Sequence, residues 1–178
     1  MVGTHRRLSM ACLAFAISLL ASPLRASEVT QADLRAIVNA IGFLDGLPRG
    51  DSIEVAIVSG SDVRSARQTA ATLEKIPGPG QSSLTTTVVS ISDLARVPTK
   101  TNLLLLMPDA LDRAAEISEM ARSRRLVTIG TDPACLETSC CTLMVQAAGH
   151  VKIVLDTKSA SAVGARFSSV FTMMVERR

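Results

Sequence analysis

The sequence predicts a single α/β domain: a mostly parallel sheet flanked by helices, closed by a C-terminal β-hairpin and helix. Three observations carry this. Short runs rich in β-branched or aliphatic residues alternate with segments of helical periodicity, the pattern of a parallel sheet with crossover helices. The run Leu103–Met107 is apolar at every position, as a strand covered on both faces must be. After residue 140 the alternation stops, and two short apolar runs flank Gln146-Ala-Ala-Gly-His150, a spacing suited to a hairpin with a longer loop.

In chain order, Thr30 can cap a helix through about Leu44, because Leu34, Ile37, Val38 and Ile41 form one apolar stripe. Gly46, Pro48 and Gly50 end it. Ile53–Val58 reads as the first strand, and Ser59-Gly-Ser-Asp62 as a turn into a helix from Val63 to about Lys75. Pro77-Gly-Pro-Gly80 stops that helix. Thr85–Ile91 and Leu103–Met107 read as the second and third strands. Pro108 and Asp109 open a helix to about Arg122, and Leu126–Ile129 is a fourth strand. Thr142–Val145 and Val151–Leu155 form the hairpin. The last helix starts near Lys158, is interrupted near Gly164, and buries Phe167, Val170 or Phe171, and Met174.

The first residues have a different character. His5, Arg6 and Arg7 precede the uncharged run Leu8–Leu20, and Ala21-Ser-Pro-Leu-Arg-Ala26 follows, before a polar start at Ser27. This is the layout of a cleaved secretion signal. Thirteen apolar residues fall short of the roughly 20 that span a bilayer. Residues 1–26 are therefore read as a leader and 27–178 as the domain, exported to the periplasm.

Removing the leader takes away Arg6, Arg7 and Arg25, so the 19 basic residues fall to 16, against 16 acidic ones. A near-neutral domain without Trp or Tyr has neither the charge nor the stacking surfaces for nucleic acid. About 152 residues suit one core. Monomer and homodimer both remain open.

The catalytic inventory is thin. His150 is the sole histidine of the domain and falls in the hairpin turn, so nucleophilic catalysis lacks a base. No phosphate-binding or dinucleotide glycine motif is present, and none of the paired spacings of a zinc site. The sequence is read as non-enzymatic, without metal or cofactor. In an open α/β sheet, ligands settle beyond the carboxyl ends of the strands. Three turns should meet there: Ser59-Gly60-Ser61, Pro108-Asp109 and Gly130-Thr131-Asp132. Their free backbone amides can hold a small anion.

Cys135, Cys140 and Cys141 lie in an oxidising compartment on this reading. Both the Cys135–Cys140 and the Cys135–Cys141 spacing allow a bridge, and one thiol is left over. Residue alternation puts Cys140 and Cys141 on opposite faces, so only one of them readily reaches Cys135.

The C-terminal third resembles the YfiR-like family of small periplasmic regulators. The likeness rests on Leu126-Val-Thr-Ile-Gly-Thr-Asp132, on Cys135 and Cys141, on Val151-Lys-Ile-Val-Leu155, on Ala160–Val163 and on Phe167-Ser-Ser-Val-Phe-Thr-Met-Met174. The resemblance implies a Cys135–Cys141 disulfide. It also implies regulation by contact with an inner-membrane diguanylate cyclase, restraining cyclic-di-GMP synthesis in a redox-responsive way. The sequence departs from the family in allowing one bridge, where members often carry two, and in offering Phe43 alone near the N-terminus. The competing expectation is a periplasmic solute-binding module of a transport system.

Overall fold

The computed structural model describes residues 28–147 and 149–178; the expected leader, residues 1–26, lies outside the described residues. Helix α1 (Gln31–Ile41) starts at Thr30 with a capping box. The Thr30 hydroxyl accepts from the Asp33 amide at 3.2 Å, and the Asp33 carboxylate accepts from the Thr30 amide at 2.9 Å. Asp33 is buried, and its other oxygen accepts from the Ala147 amide at 2.7 Å. One side chain thus caps the helix and ties it to the chain just beyond Gln146. The predicted stripe Leu34, Ile37, Val38 and Ile41 is buried. The helix ends earlier than expected. The Gly42 and Phe43 amides turn back on Asn39 and Ala40, and Leu44 leaves to bridge Phe167.

The sheet has seven strands in the order β2-β1-β3-β4-β5-β6-β7. They are β1 (Ser52–Ser59), β2 (Ser83–Ser90), β3 (Leu103–Leu106), β4 (Val127–Gly130), β5 (Leu143–Gln146), β6 (Lys152–Leu155) and β7 (Glu176–Arg177). The β2-β1-β3-β4-β5 pairs are parallel, β5–β6 is the antiparallel hairpin, and β7 pairs parallel to β6. β1 and β2 are in register along all eight residues. β7 was not expected: a two-residue strand carries no periodicity, and it is held by the Arg178 amide on the Leu155 carbonyl at 3.1 Å.

Helix α2 (Val63–Leu73) joins β1 to β2, and α3 (Ala114–Arg124) joins β3 to β4. The two crossovers run in opposite directions along the sheet, so right-handed connections put their helices on opposite faces. α1 packs on α2, and α3 packs on α5 (Thr157–Val163). The helix expected from Pro108 begins as a 3-10 segment, Pro108–Arg113, and becomes α-helical at Ala114. A short helix, α4 (Ala134–Glu137), fills the cysteine loop. The C-terminal helix breaks at Gly164, whose φ of 71° ends α5 in the left-handed conformation. A separate α6 (Ser169–Met174) follows.

Every residue of β3 and β4 is buried, as is most of β1, so the central strands form the floor of one continuous core. Phe43, Phe167 and Phe171 stack in a row, with both outer rings 5.2 Å from the ring of Phe171. This clamps α6 to the end of α1.

Candidate functional site

The strand order reverses between β1 and β3, and the turns after β1, β3 and β4 collect at one end of the sheet. Val58, Leu106 and Gly130 are in register, so Ser59, Met107 and Thr131 form the next row. Gly60 lies where the β3 turn presses closest. A Cβ built there would stand 2.1 Å from the Asp109 carbonyl oxygen, so only glycine fits. The Asp62 amide, at the start of α2, donates to Asp109 Oδ2 at 2.7 Å. The position in which an external anion was expected on that amide is therefore filled by the chain's own carboxylate. Asp62 caps α2 by accepting from the Ser65 amide at 2.9 Å.

Three buried polar side-chain atoms among the described residues lack a hydrogen-bond partner: Ser59 Oγ, Asp109 Oδ1 and Thr131 Oγ1. All three belong to the turns singled out from sequence. Ser61 is exposed on the same rim. Asp132 is taken up locally, accepting from the Ala134 amide at 2.9 Å and so starting α4. The cluster thus offers two hydroxyls, each able to donate or accept, and one carboxylate oxygen, with no cation, and its chemistry suits ordered water better than an anion.

The cysteine loop packs on the end of β4. Cys135 bridges to Cys141, Cα to Cα 5.4 Å, and Cys140 is the free, buried thiol. A Cβ on Gly130 would lie 2.7 Å from Cys135 Sγ, so Gly130 makes the room in which the bridge sits. The Cys140 and Cys141 amides both donate to the Cys135 carbonyl, at 2.9 and 3.3 Å. Burial pushes the Cys140 thiol above its ordinary pKa, against a smaller opposing effect of the Thr138 hydroxyl donating to its sulfur at 3.3 Å.

A third feature escaped the sequence reading. α6 was expected to bury Val170 or Phe171, and Met174. It buries Phe171 alone and exposes Val170, Met173 (78 %) and Met174 (63 %). Val151 in the hairpin loop (60 % exposed) and Phe43 complete the exposed large apolar side chains among the described residues. Phe43, Val151 and Met174 border one shallow groove of about 170 Å³ floored by Phe171. The signal was present in composition: four of the six α6 residues are large and apolar, and a helix this short buries one side. His150 is exposed in the same hairpin loop. No described helix is long and apolar enough to cross a membrane, and the described residues contain no cluster of three or more metal-ligating side chains.

No family model matches the chain, and no curated protein matches it. Solved structures do share its architecture. One is an ABC domain from Streptococcus pneumoniae in complex with L-Trp, at TM-score 0.60 and 13% identity, covering 82% of this chain and 60% of that one. Another is a conserved domain protein from Vibrio cholerae O1 biovar El Tor, at TM-score 0.59 and 10% identity, covering 81% of this chain and 59% of that one. The chain therefore spans about 60% of the length of the structures it matches, and at these identities the likeness is one of fold.

Proposed function

We propose that the protein is an exported, non-enzymatic regulator that acts by protein contact, with the α6 surface as its docking face and the periplasmic part of a membrane signalling enzyme as its partner. The observation that carries the proposal is the shallow groove bordered by exposed Phe43, Val151 and Met174, on a helix that also exposes Val170 and Met173. Single exposed apolar residues are ordinary, but a grouped patch at a groove marks an interaction surface. The groove is too small to enclose a drug-sized ligand, for which roughly 300 Å³ or more is usual. The resemblance to YfiR-like regulators names the partner class as a diguanylate cyclase and gives the Cys135–Cys141 bridge a redox role.

The test is a photo-cross-linking amino acid at position 173 of the mature domain, incubated with inner membranes. Cross-linking to a diguanylate cyclase, abolished by Met174→Asp, is the expected result. Cross-linking to no membrane protein, or labelling unchanged by Met174→Asp, overturns the docking face. Repetition after reduction reads the role of the bridge.

A solute-binding role is the second reading, favoured by the likeness to a domain solved with L-Trp. Calorimetric titration with L-Trp separates the two. Saturable binding alongside a silent membrane cross-link favours the solute role, and no binding removes L-Trp as its ligand.

A further inference from the structure

We infer that the cleft between α3 and α5, on the face of the sheet away from α1 and α2, binds a small carboxylate with a short apolar body. The cleft is about 400 Å³, enough for a small organic acid. Its floor is polar. Thr128 and Thr142 lie there, both buried, beside Cys140.

The donor count at that floor does not close. The Thr142 amide donates to Thr128 Oγ1 at 2.9 Å, and the Thr128 amide to Thr142 Oγ1 at 3.4 Å. The two hydroxyls stand 3.3 Å apart, and only one of them can donate to the other. One hydroxyl hydrogen is therefore left without an acceptor among the described residues. Buried donors are normally satisfied, so a spare one under an open cleft points to an acceptor that enters it.

The rim supplies the matching charge. Arg122 donates through Nε to the Ser118 carbonyl at 3.1 Å, which leaves its terminal nitrogens available, and Lys158 makes no ion pair among the described residues. Glu119 lies on the same rim, so these three side chains carry one net positive charge. Ala162 and Val163 of α5 offer apolar wall. A carboxylate between rim and floor would meet cations above and a neutral donor below, with its apolar body against α5. The site is separate from the α6 groove, with which it shares no lining residue.

The mature protein is titrated with benzoate, isobutyrate and 4-methylpentanoate, each against its neutral amide, by amide-resolved NMR. At least one acid should saturate at millimolar concentration or below, shifting the Thr128, Cys140 and Thr142 amides, with its amide about tenfold weaker. Arg122→Gln should weaken that acid severalfold, and Glu119→Gln should tighten it. Both positions are exposed, so neither variant threatens the fold. No saturable acid, equal binding of acid and amide, or affinity indifferent to Arg122 and Glu119 would each overturn the site.

Discussion

Reducing the Cys135–Cys141 bridge is the sharpest perturbation of the fold that leaves every other atom in place. The bridge closes a loop with a sequence separation of 6. The chain-entropy relation for such a loop gives about 2–2.5 kcal/mol, because the reduced unfolded chain regains the freedom that the cross-link removed. The native loop has other restraints. The two amide bonds to the Cys135 carbonyl remain, and α4 still starts on Asp132. Reduction should therefore weaken the fold without dissolving it. In urea, with a slope near 2 kcal/mol per molar for a domain of this size, the midpoint should fall by about 1 M with the slope unchanged. The assay is urea unfolding of the mature chain, followed by far-ultraviolet circular dichroism with and without a phosphine reductant. A shift under about 0.3 M would refute the loop argument. Loss of a cooperative transition would refute the claim that the remaining restraints suffice.

Gly130→Ala should destabilise by about 1–3 kcal/mol in denaturant melts, because its Cβ would enter the space of Cys135 Sγ; tolerance would mean that the bridge can move off β4. Phe171→Ala removes the central ring of the stack and should lose about 3–5 kcal/mol in the same measurement. Thr131→Val deletes an unpartnered buried hydroxyl and should leave stability unchanged or raise it by up to about 1 kcal/mol; a loss above that shows that the hydroxyl has a partner. The raised pKa of Cys140 sets a pH dependence. The native state holds its thiol proton where the unfolded chain has begun to lose it. The contribution is therefore complete below the ordinary thiol range and lost as pH rises through the folded value, and the decline should vanish in Cys140→Ala. At neutral pH, iodoacetamide should label native Cys140 far more slowly than the unfolded chain, read by mass spectrometry.

Much of the fold was legible because strands and helices here follow simple periods. Leu34 to Ile41 and Leu103 to Leu106 behave as their spacing and burial demand. What escaped was set by tertiary contact. α6 turns Phe171 inward because two other phenylalanines wait for it, and nothing local distinguishes it from Val170. The short α4 and β7 are held by a few hydrogen bonds each, which leave no pattern in sequence. At the sheet end, sequence named the turns, since topology alone collects them there. It did not show that Asp109 turns back onto the Asp62 amide, because that depends on how closely Gly60 lets two backbones approach. The choice of Cys141 over Cys140 likewise follows from which side chain faces Gly130.

The phenylalanine row has an optical consequence. With no Trp or Tyr anywhere in the chain, the protein is almost dark in the fluorescence window used to follow unfolding and binding. Phe43 is the partly exposed end of the row and borders the α6 groove. A Phe43→Trp variant would place one indole, stacked on Phe171 and open to solvent at its edge, against an otherwise silent background. Its emission colour would report directly on whether that groove is wet or covered.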